Sequence, residues 1–166
     1  MKRFIIYGLI AALATALAAP AMAQTQGDDK YVGIGFIVGE PTGLDAKFFL
    51  NNEHALEFGL AWSLSGQNEL HIQGDYLWHR YGLIDLKNGD EMPLYFGVGA
   101  RFMAREDDPG DNHNDDDIVG IRFPVGLAYM FTNYPFDIFM EIVPILDVIP
   151  ESDFDLEGAI GARFWF

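Results

Sequence analysis

The sequence predicts an all-β protein, an eight-stranded antiparallel up-and-down transmembrane β-barrel. Three observations carry this. Short segments are punctuated by turn chemistry along most of the chain. Within them, bulky apolar residues alternate with small or charged ones. Helical periodicity is nearly absent.

The segments run at roughly 30–39, 43–50, 54–63, 69–81, 93–104, 118–131, 136–147 and 154–166. Between them lie Glu40-Pro41-Thr42-Gly43, Asn51-Asn52, Ser65-Gly66-Gln67-Asn68, Lys87-Asn88-Gly89-Asp90, an acidic stretch at 105–117, Thr132-Asn133-Tyr134-Pro135 and Pro150-Glu151-Ser152-Asp153. Each but the acidic stretch is built around the Gly, Pro, Asn or Asp residues that reverse a chain, and that stretch is rich in them too. Asn88-Gly89 is the sharpest hairpin signal.

Successive side chains of a strand point to opposite faces. In the third segment Leu56, Phe58, Leu60 and Trp62 oppose Ala55, Glu57, Gly59 and Ala61. In the fourth, Leu70, Ile72, Tyr76 and Trp78 oppose His71, Gln73, Asp75 and His79. In the fifth, Leu94, Phe96, Val98 and Phe102 oppose Tyr95, Gly97, Gly99 and Arg101. In the sixth, Ile121, Phe123, Val125, Leu127 and Tyr129 oppose Arg122, Gly126 and Ala128; in the last, Leu156, Ile160, Phe164 and Phe166 oppose Glu157, Ala159, Gly161 and Arg163. A soluble barrel needs bulky apolar groups inside and polar groups outside. Here the second face is Gly, Ala or charged, which cannot fill a dry core. With the apolar face turned to lipid, the pattern fits a barrel whose lumen holds the small and charged residues. Closure satisfies every edge, as lipid requires.

Length sets the strand number. A membrane strand needs ~9–11 residues, so eight occupy somewhat more than half of the 143 residues from Gln24 to Phe166. Ten leave little loop. Pro124 and Pro144 fall inside the sixth and seventh segments, where a ring without free edges cannot hide a missing N–H. Alternation continues in phase past both, so a lost ladder bond or a kink near the outer rim is expected there.

Lys2 and Arg3 precede an apolar run from Phe4 to Ala19, and Ala21-Met22-Ala23 is a small-x-small site. Residues 1–23 therefore read as a secretory signal peptide and 24–166 as one barrel domain. The run approaches the ~18–20 residues of a spanning helix, so an uncleaved anchor is the alternative; Pro20 and the Ala-rich flank favour cleavage. From Gln24 onward 8 basic residues face 25 acidic ones, a formal charge of −17, which argues against nucleic acid as a partner. There is no cysteine, so disulfides and thiolate chemistry are excluded.

By parity the lumen receives Asp45, Lys47, Glu57, His71, Asp75, His79, Arg101, Arg122, Asp137, Glu141, Asp147, Asp155, Glu157 and Arg163. Three arginines among many carboxylates suggest a charge-paired plug, because eight strands enclose a space just wide enough for side chains. The same residues in a looser arrangement would form a narrow, weakly cation-selective channel. His71, Asp75 and His79 share a face, with Ser63 and Ser65 near in sequence, so a lipid-modifying hydrolase is a further alternative. No histidine is followed two positions later by the Ser of the His-x-Ser-Asn pattern of lipid A deacylases, and no enzymatic activity is expected.

Asp107, Asp108, Asp111, Asp115, Asp116 and Asp117 crowd one loop with oxygen ligands suited to weak binding of a divalent cation. The EF-hand spacing is missing, and a solvated loop with no dedicated metal is the simpler reading. No cofactor is implied. Trp62, Trp78, Tyr81, Tyr129, Trp165 and Phe166 are candidates for interfacial aromatic girdles, although Trp165 points inward by parity.

The closing Arg163-Phe164-Trp165-Phe166 resembles the C-terminal assembly signal of outer-membrane barrels, with Phe164 and Phe166 as its aromatic residues. The architecture resembles small barrels of the OmpA/OmpX type. Gly39-Glu40-Pro41-Thr42-Gly43-Leu44, Arg122-Phe123-Pro124-Val125-Gly126-Leu127 and the segment from Phe136 to Pro144 resemble a less characterised family of small outer-membrane barrels. That likeness implies a porin-like fold and an integral outer-membrane location, makes Pro124 and Pro144 family features, and lends no established activity. An even strand count places both termini in the periplasm. The role expected of such a barrel is structural, in the envelope, or interactive at the surface. Its expected partners are outer-membrane lipids, lipopolysaccharide and the barrel-assembly machinery, and its expected state is a monomer.

Overall fold

The computed structural model describes residues 31–62, 69–86, 89–105 and 117–166, with the side chains of Trp62, Glu69 and Arg105 left undescribed. The segment read as a signal peptide, the turn at 63–68, Lys87-Asn88 and the acidic loop except Asp117 lie outside the described residues.

Nine strands form one antiparallel sheet: β1 (Val32–Gly39), β2 (Gly43–Phe49), β3 (His54–Trp62), β4 (Glu69–Arg80), β5 (Leu94–Arg105), β6 (Ile118–Arg122), β7 (Val125–Met130), β8 (Phe136–Ile149) and β9 (Asp153–Trp165). Neighbours in sequence are neighbours in space. β4 pairs with β5, and β1 pairs with β9, so the sheet closes. Among the described residues there is no helix.

The ring has eight positions because β6 and β7 share one. The sequence reading made them a single strand; Phe123-Pro124 interrupts it. The register nevertheless runs through. Arg122 faces Ile145 of β8 before the interruption and Val125 faces Ile142 after it. On the other side Gly99 faces Arg122 and Phe96 faces Val125. Each proline keeps the half of its narrow pair that it can make. Phe123 donates its N–H to Pro144 O and Gly97 donates to Pro124 O, both at 2.9 Å. The reciprocal bonds are missing because proline has no N–H. The expected loss of a ladder bond is thus found at both prolines, but not near a rim. The prolines sit at mid-height, and Pro144 lies within an unbroken β8. A register shift between Val119 and Gly120 lies opposite the last residues of β8.

The connection from Arg80 to Leu94 exceeds the expected Lys87–Asp90 hairpin. Gly82 (φ 74°) and Gly89 (φ 81°) supply its left-handed corners. Glu91 bridges back to Asp85 and across to Met130, and Tyr129 Oη donates to Asp90 at 2.6 Å.

Faces separate as alternation requires. Ile34, Phe36, Ile138, Met140, Ile142, Leu156 and Ile160 are exposed on the outer surface, whereas Asp45, Lys47, Glu57, Arg101, Arg122, Glu141 and Arg163 are buried inside. The register of every strand is thereby pinned, since a one-residue slip would exchange the two faces.

Candidate functional site: an ion-paired interior

Each inward charge is delivered by an alternate strand position. β2 supplies Asp45 and Lys47, β3 Glu57, β4 Asp75, β5 Arg101, β6 Arg122, β8 Asp137, Glu141 and Asp147, and β9 Asp155, Glu157 and Arg163. They gather into two groups.

The first lies toward the end where β5 finishes and β9 begins. Arg101 grips Asp147 at two points, Nε to Oδ1 at 3.1 Å and Nη2 to Oδ2 at 2.7 Å. Its Nη1 donates to Asp155 at 3.0 Å and to Glu157 at 2.6 Å. Arg122 reaches the other oxygen of Glu157 through Nη1 at 2.8 Å and donates Nε to Asp75 at 3.2 Å. Its Nη2 lies 3.9 Å from Glu141, which accepts the Tyr95 hydroxyl at 3.0 Å. Asp155, half-exposed, opens this group to solvent.

The second group lies toward Val32 and Trp165. Arg163 donates Nη1 to Glu57 at 2.6 Å and to Asp45 at 3.2 Å, and Nε to Asp137 at 3.2 Å. Lys47 Nζ sits 2.9 Å from the same Glu57 oxygen. Both cations also lie over rings, Lys47 at 4.3 Å from the Tyr95 centroid and Arg163 at 3.8 Å from that of Phe139. These contacts offset part of the desolvation that each buried ion suffers.

The glycines of the inner face explain how the long side chains fit. A Cβ on Gly99 would strike the Asp75 carboxylate, one on Gly126 the Tyr95 phenol ring, one on Gly161 the Phe139 ring, and one on Gly59 the Gln73 amide. Each glycine lies beside a large inward residue of the neighbouring strand and leaves it room.

His71 and His79 do not join the ion pairs. Among the described residues, His71 Nε2 and both ring nitrogens of His79 have no hydrogen-bond partner, nor has the Gln73 side chain. The His79 ring packs on Phe49 and Tyr95 at 4.9 and 5.5 Å between centroids. Asp75 bonds to Arg122, and no bond links it to either histidine. Ser63 and Ser65 lie outside the described residues. Asp107, Asp108, Asp111, Asp115 and Asp116 also lie outside them, so the divalent-cation loop has no described geometry beyond Asp117.

The interior is not confined to small and charged residues, which corrects the reading of the inner face. Ile37, Leu77, Tyr95 and Phe139 form an apolar belt with Ala55, Ala128 and Ala159. Val143 and Ile145 are equally buried. Strand alternation places all of them inward. Trp165 belongs here too. It is 4% exposed and its ring lies 5.3 Å from Phe49, so it is an interior residue rather than a girdle residue. Of the other girdle candidates, Phe166 and Tyr81 are exposed, Trp78 stacks on Phe96, and the Trp62 side chain is undescribed. Phe164 and Phe166 both face outward, with ring centroids 4.9 Å apart.

A closed antiparallel sheet that is apolar outside and ion-paired inside is similar to a β-barrel. Over 81% of its length the chain superimposes on 95% of the N-terminal β-barrel domain of Pseudomonas aeruginosa OprF, with a TM-score of 0.54 and 15% sequence identity. This likeness is one of fold. Residues 24–164 match the family described as Protein of unknown function (DUF3996), and the chain belongs to that family. No curated protein matches it.

Proposed function

We propose that this chain is a small integral outer-membrane β-barrel, inserted after removal of its signal peptide. Its role is structural or interactive within the envelope, and its lumen is closed by the two ion-paired groups. The carrying observation is the combination of a ring without free edges, an apolar outer wall and an interior whose four buried cations all meet carboxylates. In lipid every backbone group must find a partner within the protein, and among the described strands closure provides the ladders that do so, interrupted at the two prolines and at the register shift by Val119 and Gly120. Lipids and lipopolysaccharide of the membrane and the barrel-assembly machinery are its expected partners; it acts as a monomer and catalyses no reaction. The testing experiment is gel mobility of the refolded mature protein with and without boiling. A closed barrel migrates differently once boiled. Equal mobility, or a helical circular dichroism spectrum, refutes this reading.

The second reading is a narrow cation-selective channel. Among the described residues, seven buried carboxylates outnumber four buried cations, and Gln73 and His79 carry unpartnered polar atoms. Planar-bilayer recording separates the two readings, because a plugged lumen gives no steady conductance.

A further inference from the structure

The outer wall is apolar almost everywhere, and its exception is local. Among the described strand residues on that face, His54 and Arg80 are the only ones able to carry positive charge, and no carboxylate shares the face with them. They frame one tryptophan. His54 of β3 is the register partner of Trp78 of β4, and Arg80 is the next outward residue of β4. Diagonal neighbours on a sheet lie ~7–8 Å apart, so one small anion can touch both. The Tyr76 hydroxyl and His54 Nδ1 are 2.8 Å apart, which leaves Nε2 as the other polar atom of that ring. Arg80 is exposed and has no ion pair among the described residues, although the chain carries a large acidic excess.

A second feature continues the first along the same stripe. Gly74 lies four residues before Trp78, about 13 Å along the strand. Its register partner on β5 is Ala100. A Cβ on Gly74 would meet only the Phe58 ring, at 3.4 and 3.5 Å, which is ordinary contact. Two small residues side by side among Phe58, Tyr76, Ile72 and Val98 make a shallow depression in a wall of large side chains. A cationic, aromatic head at the sheet end and a patch of small residues further up the wall, beyond the outward pair Tyr76 and Val98, match the two parts of a phospholipid.

We propose that the β3–β5 face binds one anionic glycerophospholipid, with its phosphate between Arg80, His54 and Trp78 and an acyl chain laid across Gly74 and Ala100. The inference rests on the membrane-barrel reading and adds a lipid of defined charge at a defined place. Arginine suits the phosphate because its donors are fixed in a planar fork.

The test is native mass spectrometry of the refolded mature protein in detergent, offered phosphatidylglycerol or phosphatidylcholine. Both lipids offer the phosphate, but phosphatidylcholine also carries a choline cation that Arg80 repels, so the parent should retain one phosphatidylglycerol about tenfold better, the scale of one charge–charge contact. Arg80→Gln should erase the preference. Gly74→Leu, which fills the depression without a backbone clash, should weaken retention of both lipids. Met140→Leu, exposed on the opposite side of the ring, should change neither. The proposal is overturned if the parent shows no preference, if Arg80→Gln and Gly74→Leu retain lipid as the parent does, or if glycerol 3-phosphate competes as well as the lipid. Loss of the boiling-dependent gel shift in the parent would instead overturn the membrane reading, and this proposal with it. An intact shift without lipid preference sinks the proposal alone.

Discussion

Arg163 and Glu57 meet at 2.6 Å although they stand on β9 and β3, with β1 and β2 between them. The guanidinium reaches across the interior rather than along the wall. Gly35, the register partner of both Arg163 and Asp45, supplies no side chain to obstruct it. The pair thus ties together strands that share no backbone ladder, and Glu57 also holds Lys47.

Removing one partner should therefore be costly. Glu57→Ala leaves Arg163 and Lys47 short of a buried counter-charge, and about 3–5 kcal/mol of stability should be lost. Glu57→Ala combined with Arg163→Ala should lose less than the sum of the two single variants. Urea midpoints in detergent measure both. Additive losses would show that the contact carries no coupling energy.

The Gly59 position predicts a rescue. A side chain there meets only the Gln73 side chain among its nearest atoms. Gly59→Val should cost about 1–3 kcal/mol through overpacking. Gln73→Ala in the same chain should recover most of it, because it removes both the clash and an amide without partners. Failure of the second change to restore the unfolding midpoint would place the strain in the backbone instead.

Much of this was legible in the sequence, and the reason is physical. Strand parity is strict, so once a closed sheet with apolar residues outside is inferred, the side on which Arg122 or Glu157 falls is decided by counting. Pairing is another matter. Parity puts Arg101 inside, but its choice of Asp147, Asp155 and Glu157 depends on how the ring closes and on the relative heights of β5, β8 and β9. No local pattern encodes those. Leu77 and Phe139 fall inward by the same parity, but their packing into one apolar belt depends on the closed ring rather than on any local pattern. The lost ladder bond at Pro124 follows from the sequence because proline has no N–H, whereas the split of the strand there depends on how β5 and β8 pair around it.

The two prolines give a prediction about single amides. Pro124→Ala supplies an N–H opposite Gly97, whose own N–H already bonds to the residue at position 124. The new amide should complete that narrow pair and resist hydrogen exchange as well as its neighbours in β7. Net stability should change by less than about 1 kcal/mol, since the added hydrogen bond and the lost rigidity of the unfolded chain oppose each other. Fast exchange at position 124 would mean that the strand bends away from β5 there.

Phe166 should matter more to assembly than to the finished fold. Its N–H donates to Val32 O at 2.9 Å and its ring is exposed on the outer surface beside Phe164. Phe166→Asp keeps the backbone bond and places a charge on an exterior position. Membrane-inserted protein in cells should fall severalfold, while the unfolding midpoint of protein refolded in detergent shifts by no more than about 1 kcal/mol, as for a surface substitution. Unchanged levels in cells would remove the terminal aromatic residue from the account of assembly.

The last prediction concerns the interior as a barrier. Arg122 is fully buried and holds Asp75 and Glu157, so it stands between the half-exposed group around Arg101 and the deeper carboxylate Glu141. Arg122→Ala removes a large side chain and one of the four buried cations, leaving seven buried carboxylates with three. Water and counter-ions should then enter to screen the unpaired acids, because uncompensated buried charge costs several kcal/mol per ion. Planar-bilayer recording should show no steady current for the parent and a small cation-selective current for the variant, since carboxylates would line the opened space. Arg122→Lys should stay closed or nearly so, keeping the charge at the cost of the forked geometry. A steady wild-type conductance would replace the plug with the channel. A silent Arg122→Ala would mean that the apolar belt of Leu77, Tyr95 and Phe139 is a sufficient seal alone, and Leu77→Ala added to it should then open the path.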